Sequence, residues 1–125
     1  MRQHSKSVLL IDDSPDDRFL FSRELTKNGF DVLATDSPEE AMAAIMAGSV
    51  GCLVADHIIS VRRSEFAEVV KGIRNDIPII VLSGASHPRE PLPAGAVFVS
   101  KHNVAELVNR VEECMHRWAL KRDKE

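Results

Sequence analysis

Short, unbroken apolar runs alternate along this chain with longer stretches in which apolar residues return every three or four positions. The first run, residues 8–11 (VLLI), is the pattern of a strand covered on both faces. Ser14-Pro15 follows as a helix start: Ser caps, Pro suits the first helical position, and Asp16 and Asp17 favour the positive end of the helix dipole. Phe21 and Leu25 share one face of that helix, and Asn28-Gly29 ends it. Residues 31–35 (DVLAT) read as a second strand, Ser37-Pro38-Glu39-Glu40 repeats the start signal, and AMAAIMA carries a second helix to Gly48. Residues 52–55 (CLVA) read as a third strand running into Asp56, and Phe66, Val69, Val70 and Ile73 place a helix over about 65–75. Residues 78–83 (PIIVLS) and 96–100 (AVFVS) read as strands four and five. Asn103 caps a last helix over about 104–121, with Leu107, Val111 and Trp118 recurring on one face.

Strands alternating with helices predict parallel strands joined by right-handed crossovers. Five such units in 125 residues predict one α/β domain, a flavodoxin-like, doubly wound, five-stranded parallel sheet of order 2-1-3-4-5, with its core over about residues 7–120. One stretch breaks the rhythm. ASHPREPLPAGA stands where the fourth crossover helix belongs, and Pro88, Pro91 and Pro93 predict that this helix is short, irregular or missing.

Composition narrows the function classes. A net charge of −3 leaves no excess of Lys and Arg to neutralise phosphates, which argues against nucleic acid as a direct partner. No apolar run approaches the ~18 residues of a membrane span, and no signal-peptide pattern opens the chain, so the expected location is the cytoplasm, away from membranes. Cys52 and Cys114 show neither C-x-x-C nor metal-ligand spacing and read as thiols in a reducing compartment. His4, His87, His102 and His116 show no ligand spacing either.

The chemistry collects at strand ends. In an open parallel sheet, ligands bind outside the carboxyl ends of the strands, where strand order reverses. The first strand here ends at Asp12-Asp13, the third at Asp56, the fourth at Ser83, and the fifth just before Lys101. Each alone has an ordinary explanation: favourable charge at a helix start, a cap, a turn. Together they put three carboxylates, a hydroxyl and an amine in one patch. At ~4 Å and an effective dielectric of ~20, each like-charged pair costs about 4 kcal/mol, so the patch calls for protons or a cation. A hard divalent ion such as Mg²⁺, held by one or two carboxylates, waters and a phosphate, suits these oxygens.

These residues resemble the receiver domain of response regulators in bacterial two-component signalling, over nearly the whole chain. The resemblance rests on the acidic pair in LLIDDSPDDR, the aspartate in LVAD, the serine in IIVLSGA and the lysine in GAVFVSK. It implies a phosphorylatable switch and not a turnover enzyme. Asp56 would accept a phosphoryl group from a histidine kinase or His-phosphotransfer protein, as a carboxylate nucleophile. Asp12, Asp13 and Asp56 would hold Mg²⁺ together with the backbone carbonyl of Ile58, and Lys101 would neutralise the phosphoryl oxygens. Ser83 would bond the phosphoryl group and draw its loop inward, and Phe98 would follow that movement, switching a surface read by a downstream protein partner. Trp118, on the apolar face of the last helix, reads as the edge of the core, with a weak homodimer contact there as the alternative. Four features depart from the family: DHIISVRRSEF lacks the usual proline and glycine after the acceptor and carries Arg62-Arg63 instead, His102 stands where proline usually follows the lysine, the segment from Ser83 to Lys101 is short, and its prolines disrupt the fourth helix, which in the family belongs to the surface that reports phosphorylation.

Two other readings compete. The altered loop and the proline-rich fourth crossover suit a pseudo-receiver, a phosphorylation-independent interaction module on the same fold. A small Mg²⁺-dependent phosphotransferase or phosphatase would favour a D-x-D motif after the first strand, whereas the two acids here are adjacent; no G-x-G-x-x-G follows a strand to suggest a dinucleotide enzyme.

Overall fold

The computed structural model describes residues 6–56, 76–88, 92 and 95–123, with side chains described as far as 116. The elements in chain order are β1 (Ser7–Ile11), α1 (Pro15–Lys27), β2 (Val32–Thr35), α2 (Pro38–Ala47), β3 (Val50–Asp56), β4 (Ile79–Ser83), β5 (Val97–Ser100) and α3 (Val104–Asp123). The strands form one parallel sheet in the order β2-β1-β3-β4-β5, as the pattern predicts. The helix expected over 65–75 and the Trp118 side chain lie outside the described residues. So do His57, Ile58, Arg62 and Arg63, which follow β3 in sequence. In the short β4–β5 connection, none of the described residues is helical.

Both faces of the sheet are covered because its central strands are apolar in unbroken runs up to their polar ends. Alternate residues divide between two cores. Leu9, Ile11, Leu53, Ala55, Ile79 and Val81 pack with Ala41 and Ile45 of α2. Val8, Leu10, Cys52, Val54, Ile80, Leu82 and Val99 pack with Phe21 and Leu25 of α1 and with Leu107, Val111 and Cys114 of α3. Both cysteines are therefore buried thiols. No helix among the described residues is long and apolar enough to cross a membrane.

Local signals fix the helix ends. Ser14 caps α1 by accepting from the Asp17 amide at 3.2 Å, and Ser37 caps α2 by accepting from the Glu40 amide at 3.1 Å. Asn103 Oδ1 accepts from the Glu106 amide at 3.0 Å at the start of α3. Gly48 closes α2 at φ 87°, a left-handed conformation that glycine adopts without a Cβ penalty. β3 begins two residues earlier than the apolar run indicates. Val50 pairs with Ser7 and Cys52 with Val8, so Gly51 is the extra residue of a bulge.

Candidate functional site

The sheet brings four of the expected residues to one end. Asp12 directly follows β1, Asp56 and Ser83 end the adjacent strands β3 and β4, and Lys101 directly follows β5. The apolar walls bury the polar atoms that terminate them: Asp12 is 0% exposed, Asp56 6% and Ser83 5%.

Lys101 is the centre of the cluster. Its backbone amide donates to the Ser83 carbonyl at 2.6 Å, continuing the β4–β5 ladder by one residue. Its Nζ lies 3.0 Å from Asp12 Oδ2, 3.0 Å from Asp56 Oδ1 and 2.7 Å from Asp17 Oδ2. Asp12 is held from every side: its amide donates to the Thr35 carbonyl at 3.1 Å, its Oδ1 accepts from the Ser14 amide at 2.9 Å, and its carbonyl accepts from Arg18 Nη1 at 2.8 Å. Its Oδ2 is buried and ion-paired to Lys101, but the approach lacks hydrogen-bond direction and the oxygen has no hydrogen bond.

The electrostatics follow from burial. Desolvation pushes the Asp56 carboxyl above the ordinary carboxylate range; the Lys101 hydrogen bond opposes this, and the charges of Asp12 and Asp13 add to it. For Lys101, burial alone lowers the pKa, but the close contacts with the Asp17, Asp12 and Asp56 carboxylates outweigh it and raise the pKa above its usual value. The ammonium is therefore a fixed positive charge.

The remaining expected residues lie around this centre. Asp13 is exposed and acts on Asp56 through its charge. The Ser83 hydroxyl accepts from the Ala85 amide at 3.1 Å. Phe98 is half-buried on β5, opposite Val81 and on the α2 side of the sheet. His102 donates its amide to Ser100 Oγ at 3.1 Å, and its ring Nε2 lies 3.1 Å from the Gly84 carbonyl. Among the described residues, no three His, Cys, Asp or Glu side chains group as a metal site.

Sequence reasoning missed one contact. Asp17 reads as dipole decoration, yet it makes the shortest contact to Lys101. The available signal was geometric: helical Cα–Cβ bonds tilt toward the N-terminus, so a residue in the first turn reaches back over the strand end that precedes it.

Comparison with known proteins defines the fold. No family model and no curated protein sequence matches the chain. Solved structures do. The response regulator protein TrrA from Thermotoga maritima, in complex with Mg²⁺-BeF, is 28% identical with a TM-score of 0.74 over 87% of this chain and 98% of that one. A chain of the complex of histidine kinase ThkA with TrrA gives 27% identity and a TM-score of 0.74, over 87% of this chain and 97% of that one. NtrX from Brucella abortus, in complex with ADP, is 22% identical with a TM-score of 0.79; it matches 95% of this chain, which spans only 28% of the NtrX chain. The chain has the fold of response-regulator receiver domains.

Proposed function

We propose that this chain is a phosphoryl-accepting receiver of a two-component system, a cytoplasmic signalling switch and not a turnover enzyme. The observation that carries the reading is Lys101 Nζ standing 3.0 Å from both Asp12 and Asp56 where the strand ends meet. An Asp56 carboxylate oxygen attacks the phosphorus of a phosphohistidine on a histidine kinase or His-phosphotransfer protein. The new O–P bond forms as the P–N bond breaks, and its electron pair returns to the imidazole. Lys101, already beside the nucleophile, neutralises charge on the phosphoryl oxygens. The Ser83 hydroxyl donates to one of them, drawing in the loop that it now holds through Ala85, and Phe98 repacks against the altered loop to present a changed surface to a protein partner.

The residues fit Mg²⁺. The buried Asp12 Oδ2, ion-paired to Lys101 but without a hydrogen bond, is an oxygen donor with capacity for a cation, and Mg²⁺ needs only one or two carboxylates. Asp12, Asp13 and Asp56 would hold it, with the carbonyl of Ile58, which lies outside the described residues. When bound, the ion supplies positive charge to the transferring phosphoryl group. The TrrA structures, one with Mg²⁺-BeF and one with a histidine kinase, support both the ion and the kinase partner.

The test is intact-protein mass after incubation with acetyl phosphate and Mg²⁺. The expected result is one phosphoryl adduct, absent with EDTA and absent in Asp56→Asn. No adduct from acetyl phosphate or from a cognate kinase would overturn the reading and leave a phosphorylation-independent interaction module on this fold.

A further inference from the structure

A lysine ammonium has three N–H donors. In this structure three carboxylates surround that of Lys101, and a phosphoryl oxygen arriving on Asp56 would be a fourth acceptor. The Asp17 contact is a directed hydrogen bond and the buried Asp12 oxygen has none, so the Asp17 bond holds an N–H that the phosphoryl oxygen would compete for. The three are not equivalent. The side chains of Asp12 and Asp56 are 1% and 8% exposed, so water cannot readily replace the lysine at either. The Asp17 side chain is 33% exposed and can turn to solvent. It nevertheless makes the shortest contact, a 2.7 Å hydrogen bond between opposite charges. Its backbone is fixed, because Ser14 Oγ accepts from the Asp17 amide at 3.2 Å and the next residue, Arg18, donates to the Asp12 carbonyl at 2.8 Å. The first turn of α1 is thus pinned to the end of β1 with the Asp17 carboxylate turned to the lysine.

We propose that Asp17 is a positioning residue that occupies one donor of Lys101 and competes with the phosphoryl group for it, so that phosphoryl uptake requires exchanging the Asp17 contact for a phosphoryl oxygen. The proposal rests on the receiver reading above. It makes Asp17 a brake on acceptance, set by a helix turn and separate from the nucleophile and the metal-binding carboxylates.

The experiment compares Asp17→Asn, Asp17→Glu and Asp16→Asn with the native chain. Asp16 is the neighbouring, exposed acid, so its variant removes the same formal charge without touching Lys101. Two quantities are read in each: the rate of phosphoryl uptake from acetyl phosphate with Mg²⁺, and the nitrogen-15 NMR signal of the Lys101 ammonium without phosphodonor. Asp17→Asn should accelerate uptake about tenfold, the size expected for loss of one charge-assisted hydrogen bond, and should shift or broaden the ammonium signal. Asp16→Asn should stay within about twofold of native and keep the signal, and Asp17→Glu should restore much of the native rate. Equal acceleration by the Asp16 and Asp17 variants would overturn the proposal in favour of bulk charge. So would an unchanged or slower Asp17→Asn in a chain that takes up phosphoryl. If neither the native chain nor any variant is phosphorylated by acetyl phosphate or by a cognate kinase, the receiver reading falls and the brake with it, whatever the ammonium signal shows; uptake by the native chain with no Asp17 effect overturns the brake alone.

Discussion

Asp56 is kept in a folded state that disfavours its charge. Its pKa in the folded chain is above the ordinary 3.8 because burial removes water from the carboxylate, and the Lys101 hydrogen bond only partly compensates. As pH rises from 3.8 through the raised value, the unfolded chain loses this proton before the folded chain does, so stability falls across that window and stays lower above it. Asp56→Asn should therefore be more stable than the native chain at neutral pH, with the advantage shrinking as pH falls toward 3.8; urea denaturation of both proteins across pH checks this. A nucleophile held against stability is what a reactive site requires. Asp12, Asp56, Ser83 and Lys101 were legible in the sequence because each interrupts or follows an apolar run, and in a parallel sheet such interruptions fall at one end. The bond from Lys101 to Asp17 joins residues 84 positions apart, and no local pattern records it.

At the scale of elements, the helix starts were the most readable features, since a cap is decided within three residues. Ser14, Ser37 and Asn103 each accept from the amide three positions on. Ser14→Ala should cost about 1 kcal/mol of folding stability, measured by thermal or urea unfolding. Because that cap also steadies Asp17, the same variant should loosen the Lys101 ammonium. Strand starts were less readable. The bulge at Gly51 extends β3 to Val50, but a glycine before an apolar run reads locally as a breaker, and only pairing with Ser7 on another strand makes it part of the sheet. α3 reaches Asp123, two residues beyond the expected end, in a charged tail where side-chain pattern no longer reports the backbone.

For the whole molecule, the division of apolar residues into two cores was legible from unbroken runs, which require cover on both faces. Leu107 joins α3 to a cluster contributed by β1, α1, β3, β4 and β5. Leu107→Ala should lower stability by about 3 kcal/mol, read from the urea midpoint at unchanged slope, while a chain that remains folded keeps its phosphoryl uptake. The two properties separate because the core sets the strands' positions and the strand ends carry the chemistry. The partner, by contrast, was not legible: it depends on the surface that changes, and residues 57–75 and part of the β4–β5 connection lie outside the described residues.

The position of Lys101 also bears on the order in which the chain is made. Asp12, Asp17 and Asp56 leave the ribosome well before the lysine, which follows the edge strand β5. Until that strand docks, drawing the strand ends together gathers the three carboxylates without the one ammonium that pairs with all of them. The same residue that readies the site for phosphate is thus the last of the cluster to be made, and a nascent chain short of residue 101 holds no lysine-neutralised acceptor.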